Sequence, residues 1–147
     1  MPETNSSNSV FDLVIAGGGM AGSLLAWCLS QAWPDWRIAI IERQAKAQNS
    51  IPASFDSRSI ALAAGSITLL QRWGLWPDLA ANACPLEHIW VSDRGHFGKT
   101  RLSATEYQQA ALGQVLEVEH LGNLLDQKLA QQSNITFFQP DVISSVS

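Results

Sequence analysis

The chain has 147 residues and a net charge of −4, with 46% hydrophobic and 15% charged residues. That is the length of one ordinary domain, able to bury roughly 70% of the surface its unfolded chain exposes, and the composition is globular, not disordered. An acidic chain without a basic run excludes nucleic acid as a partner, and no apolar stretch approaches the roughly 20 residues of a membrane span.

The first ten residues, MPETNSSNSV, lack a basic segment and an apolar run, so they read as a loose tail and not a secretory signal. Phe11 to Ala16 is a short apolar run ending at three glycines, a buried strand entering a tight turn. Met20 to Ala32 carries Leu24, Leu25, Cys28 and Leu29 at helical spacing and is stopped by Pro34-Asp35. Arg37 to Glu42 is a second buried strand. Strand, helix and strand within about thirty residues make a βαβ unit with parallel strands.

A polar loop follows, QAKAQNSIPASFDS, and then Ser59 to Trp73 resumes helical spacing through Ile60, Ala63, Ala64, Ile67 and Leu70, with Gly74 as its C-cap. Leu75 to Ala83 reads as a short helix opened by Pro77-Asp78. His88 to Ser92 and Lys99 to Ser103 read as a hairpin about Asp93-Arg94-Gly95. Gln114 to Val118 is extended, His120 to Gln132 is an amphipathic helix with Leu121, Leu124, Leu125 and Leu129 on one face, and Ile135 to Gln139 is a strand stopped by Pro140. The six tryptophans read mostly as core or interface packing. Cys28 and Cys84 stand apart with no metal-ligand spacing, which fits two plain thiols in the reduced cytoplasm and no metal site.

Chemistry concentrates at Gly17-Gly18-Gly19-Met20-Ala21-Gly22, a G-x-G-x-x-G sequence placed after a strand and at the mouth of a helix. Gly17 permits the turn, Gly19 lets the backbone approach a pyrophosphate, and Gly22 lets helix and strand pack closely. The N–H groups of the helix start, at Met20, Ala21 and Gly22, then face the phosphates. Glu42 ends the second strand twenty residues after Gly22, where a carboxylate accepts hydrogen bonds from a ribose diol and repels a 2′-phosphate. Arg43 either stacks on adenine or faces water. These residues indicate an ADP-ribose moiety, common to NAD and FAD.

The segments FDLVIAGGGMAGSLLAWCL, IIER, FDSRSIALAAGSITLLQRWGLW, HIWVSDRGHFGKTRL and YQQAALGQVLEVEHLGNLL resemble the flavin-dependent aromatic hydroxylases, above all their ubiquinone-biosynthesis branch. The resemblance covers almost all of the chain from Phe11 onward. It implies an α/β, Rossmann-like FAD/NAD(P)-binding domain with a parallel sheet, here the incomplete N-terminal portion of a two-domain flavoprotein, with residues 11–147 as the first part of the FAD domain. It implies FAD on Gly17, Gly19, Gly22 and Glu42, with Arg58 near the pyrophosphate and Gln114 near the ribityl chain. A guanidinium is chemically apt for phosphate oxygens. It further implies NAD(P)H as reductant, O₂ as co-substrate and a polyprenyl phenol as substrate, met at a membrane surface or in a biosynthetic complex; a homo-oligomer is a further expectation.

No catalytic acid or base emerges, because the cofactor carries the difficult step; His88, His96 and His120 read as structural or solvent-facing. The chain is much shorter than such hydroxylases and has no Gly-Asp pair, so the expectation is a fragment with weak FAD affinity and negligible activity. Two other readings stay open: an NAD-binding dehydrogenase domain and a non-catalytic interaction module.

Overall fold

The computed structural model describes residues 10–45 and 58–145. Residues 1–9 of the tail expected over 1–10, and most of the polar loop after Glu42, lie outside them. In chain order the elements are β1 (Leu13–Ala16), α1 (Met20–Ala32), β2 (Ile38–Ile41), β3 (Ser59–Ala63), α2 (Ala64–Arg72), α3 (Trp76–Leu79), β4 (Cys84–Leu86), β5 (His88–Ser92), β6 (Lys99–Ser103), β7 (Gly113–Glu117), α4 (Val118–Ala130) and β8 (Ile135–Phe138), with 3₁₀ turns at Ala80–Asn82 and Ala104–Tyr107. The chain divides into two compact units, one from Met1–Ser54 and Leu125–Ser147, the other from Phe55–Leu124.

The first unit holds a parallel sheet in the order β1-β2-β8. Leu13 pairs with Ile38 and Ala16 with Ile41; on the other side Ile38 pairs with Ile135 and Ile41 with Phe138. The central strand β2 is a continuous apolar run because a parallel strand has two neighbours and two covered faces, and Ile38, Ala39 and Ile40 are buried. Helix α1 packs on β1 and β2. Its buried stripe is Ser23, Ala26, Trp27 and Ser30, while Leu25 is exposed. Small side chains on that stripe let the helix axis come close to the strands. The later half of α4 contributes Leu125 and Leu129, both buried.

The second unit is antiparallel. A sheet in the order β3-β7-β4 stands beside a separate hairpin, β5–β6. The helix expected over Ser59 to Trp73 is corrected here: its first five residues form strand β3, paired with β7 from Ser59↔Glu117 to Ala63↔Gly113, and only Ala64–Arg72 is helical. The segment SIALA alternates half-buried Ile60 and Leu62 with exposed neighbours, a period of two. Arg58 therefore precedes a strand and not a helix. Strand β4 was not anticipated; α4 starts at Val118, two residues before His120. The hairpin β5–β6 has the expected bounds, with Ile89 opposite Leu102 and Trp90 opposite Arg101. The C-cap of α2 is Trp73, and Gly74, expected as the cap, follows it with a left-handed φ of +71°.

The six tryptophans divide by burial, with Trp73 and Trp76 half-buried. Among the six, only Trp27 is buried. Trp33 and Trp36 are exposed and stack on each other at 4.9 Å, and exposed Trp90 carries the Arg101 guanidinium over its ring at 5.8 Å. Cys28 is half-buried and Cys84 exposed, neither in a disulfide; burial pushes the Cys28 thiol above its ordinary value, with a backbone hydrogen bond opposing.

Because β2 is covered on both faces, its side chains set the stability of the first unit. Ile40→Ala should lower the unfolding free energy by about 2–5 kcal/mol in urea titration. Phe137→Ala, beside it in register but 40% exposed, should cost clearly less.

Candidate functional site

Strand β1 delivers the chain into the glycine loop at its carboxyl end. Gly17 still belongs to the strand pairing through its N–H, which donates to the Ile41 carbonyl at 2.8 Å. Its φ of +106° lies where L side chains are strained, so the turn out of the strand needs glycine there. Helix α1 begins one residue after Gly19, with no side chain capping its N-terminus and no acid in its first turn. The backbone N–H groups of that turn are thus not claimed by a side-chain cap, as an anion site requires.

Gly22 is fixed by proximity. A Cβ added there would collide with the Gly17 carbonyl oxygen and stand 3.2 Å from the Ile15 side chain. No side chain fits, so the helix crosses the strand exit at a distance only glycine allows.

Glu42 follows β2, adjacent to Gly18 in space. Its Oε2 accepts the Gly18 N–H at 2.7 Å and its Oε1 accepts the Gln44 N–H at 2.8 Å. These bonds, that from Gln44 first, hold the carboxyl below its ordinary value. Each oxygen keeps a further lone pair, enough to accept a sugar hydroxyl. Beside it opens a cavity of about 300 Å³ lined by Ala16, Gly17, Ile41, Glu42, Arg43, Asp141, Val142 and Ile143. Arg43 is at its edge, exposed.

Asp141, Val142 and Ile143 were not anticipated. They follow β8 and are tied to the site where the Asp141 N–H donates to the Glu42 carbonyl at 2.9 Å. Val142 is 59% exposed and Ile143 42%, an apolar wall suited to the flat face of a base. The signal that could have located them is general: in parallel α/β sheets ligands collect beyond the carboxyl ends of the strands, and Pro140 marks where β8 stops.

The structure thus brings together Gly17, Gly19, Met20, Ala21, Gly22, Glu42 and Arg43. Arg58 and Gln114 belong to the second unit. The Arg58 carbonyl accepts the Val118 N–H at 2.9 Å, and Gln114 sits in the middle strand β7 opposite Leu62 on one side and Pro85 on the other. The three histidines lie outside the cavity's lining: His88 is exposed, His96 pairs with Asp93 at 2.9 Å and His120 with Glu117 at 3.6 Å. Among the described residues no group of three or more His, Cys, Asp or Glu side chains could hold a metal, and no helix is long and apolar enough to cross a membrane.

The residues present fit a dinucleotide: a loop that requires glycine at Gly17 and Gly22, uncapped helix amides, a carboxylate with spare lone pairs and an adjoining apolar wall. Comparison with solved structures shows the fold, which this chain shares with FAD-dependent monooxygenases. The p-nitrophenol 4-monooxygenase PnpA of Pseudomonas putida DLL-E4 matches with a TM-score of 0.65 and 21% identity, over 88% of this chain and 31% of its own. PqsL of Pseudomonas aeruginosa, a probable FAD-dependent monooxygenase, matches with a TM-score of 0.61 and 18% identity, over 86% and 32%. Among curated proteins the similar chains include ubiquinone-biosynthesis hydroxylases. The 3-demethoxyubiquinol 3-hydroxylase of Escherichia coli K12 is 28% identical over 137 residues, which is 91% of this chain and 34% of that enzyme. The mitochondrial ubiquinone biosynthesis monooxygenase COQ6 of Rattus norvegicus is 31% identical over 84 residues, 55% of this chain and 18% of that one. An uncharacterized Synechocystis protein is 30% identical over 134 residues, 91% of this chain and 31% of its own length. No protein-family model matches the chain. The resemblance to ubiquinone-biosynthesis hydroxylases is borne out, and the chain spans at most about a third of the length of these relatives.

Two outcomes follow from the loop geometry. Gly22→Ala should destabilise the protein by about 3 kcal/mol or more in urea unfolding, since backbone and not a pliable side chain blocks the added methyl. Glu42, whose folded-state carboxyl lies below its unfolded value, contributes stability above the unfolded pKa that is lost as pH falls through the folded one. The Tm gap between the unaltered protein and Glu42→Gln should therefore be constant above about pH 5 and close as the pH drops further.

Proposed function

We propose that the chain is the dinucleotide-binding part of an FAD-dependent, NAD(P)H-using monooxygenase that hydroxylates a polyprenyl phenol in ubiquinone biosynthesis, an enzyme of the 2-octaprenyl-6-methoxyphenol hydroxylase kind. The observation that carries the proposal is the meeting of the Gly17–Gly22 loop with Glu42 beside the cavity that Asp141–Ile143 closes. In this reading the amides of Gly19, Met20, Ala21 and Gly22 hold the diphosphate, where the positive end of the α1 dipole offsets its charge. Glu42 accepts from the adenosine ribose. Arg43, Val142 and Ile143 border the base. The negative charge of Glu42, joined by Asp141, disfavours an extra phosphate on that ribose and so separates this pocket from an NADP site.

Arg58 and Gln114 are assigned, through the family resemblance, to the pyrophosphate and ribityl portions of the same cofactor. Bound flavin would supply electron transfer from NAD(P)H and the activation of O₂; the chain's own contribution is to hold the adenosine end and fix its orientation. No side chain is assigned as a catalytic acid or base. A polyprenyl substrate is strongly apolar, so we place the whole enzyme in the cytoplasm at a membrane surface or in a complex of biosynthetic enzymes. The share of its relatives that the chain spans supports reading it as one portion of such an enzyme, with weak FAD affinity and no turnover by itself.

The test is a titration of the purified chain with FAD, followed by flavin fluorescence. FAD should bind weakly, ADP should compete, riboflavin should not, and NADPH with a phenol should give no O₂ consumption. Competition by riboflavin but not ADP, or tighter binding of NAD than of FAD, overturns the assignment.

A further inference from the structure

We infer that Ser23, a buried hydroxyl one residue beyond the glycine sequence, is a positioning residue that aims two consecutive amides of the loop at the diphosphate. The inference rests on the cofactor reading above.

A serine inside a helix ordinarily satisfies its hydroxyl on the carbonyl three or four residues back, within the same helix. Ser30 does so in α1, donating to the Trp27 carbonyl at 2.8 Å. Ser23 does not. Its Oγ reaches five residues back and out of the helix, donating to the Gly18 carbonyl at 2.9 Å, while its backbone N–H donates to the Gly19 carbonyl, also at 2.9 Å. One residue therefore grips two successive carbonyls of the glycine loop, and at 1% exposure it does so out of contact with water.

A trans peptide sets its N–H opposite its C=O, and the one cis bond among the described residues is Gln139-Pro140. With the Gly18 and Gly19 carbonyls both drawn toward Ser23, the N–H groups of Gly19 and Met20 point the other way, out of the helix start. Three consecutive glycines have no side chains to restrict their peptide planes. Without the hydroxyl the Gly18–Gly19 plane is free to rotate, and a diphosphate would have to order it on binding. Glu42 holds the Gly18 N–H, which lies in the preceding Gly17–Gly18 plane, so the peptide planes on either side of Gly18 each have one anchor.

Ser30 supplies the control, since it is 2% exposed on the same helix with the same kind of bond. The experiment compares the whole chain, Ser23→Ala and Ser30→Ala, with ADP as the probe in calorimetric titration and the amide resonances of Gly19 and Met20 followed in ¹⁵N-labelled protein. Ser23→Ala should weaken ADP binding about tenfold, the scale of one hydrogen bond, and shift or broaden the Gly19 resonance already in the free protein. Ser30→Ala should leave both unchanged even if its Tm falls as far. Equal effects of the two variants, or unaltered affinity and Gly19 resonance in Ser23→Ala, overturn the role of Ser23 while leaving the cofactor reading in place. No ADP binding by the unaltered chain overturns both.

Discussion

Helix α1 can leave strand β1 along its observed path because position 22 presents only a hydrogen to the Gly17 carbonyl. Every other feature of the site inherits its place from that crossing. It sets the helix start against the carboxyl end of the strand, which directs the uncapped amides toward the space beyond the sheet. It also brings Gly18 within reach of Glu42 on the neighbouring strand. A methyl group at the crossing would push helix and strand apart and draw the glycine loop away from Glu42.

Around this contact the site is built almost wholly from backbone. Its donors are main-chain N–H groups, and the acceptor is one carboxylate already engaged by two of them. Such a site needs little side-chain ordering when a ligand arrives, since secondary structure has fixed its polar groups beforehand. It also explains why so few charged residues are involved: Glu42, Arg43 and Asp141 are the ionisable groups lining the cavity. In the proposed function the redox chemistry belongs to the cofactor, and these backbone donors are asked only to hold its adenosine end.

The parts legible in the sequence are those governed by short-range rules. The glycines, the strand before them and the acid closing β2 lie within about thirty residues, and the β5–β6 hairpin is announced by its own turn. What escaped notice depends on distant partners. Ser59–Ala63 satisfies helical and alternating patterns alike, because its alanines are indifferent to either, and only pairing with Gly113–Glu117 decides for a strand. Strand β4 is three residues long and contains Pro85, which masks it. Asp141–Ile143 carries no pattern of its own and gains its position from β8 standing beside β2. The tryptophans divide for a different reason: Trp27 is buried, whereas Trp33 and Trp36 stack on each other and Trp90 carries Arg101 over its ring while all three stay exposed.

The double attachment of Glu42 bears on how this pocket could be redesigned. Swapping an acidic residue for arginine is the obvious way to turn an ADP-ribose site toward a 2′-phosphorylated nucleotide. In this protein the same exchange would leave the amides of Gly18 and Gln44 without their acceptor, loosening the turn that the new ligand would also need. On the proposed cofactor reading, cofactor choice and loop rigidity are coupled through a single side chain, and a retargeted variant would require a substitute acceptor for those amides before a change in selectivity could be expressed.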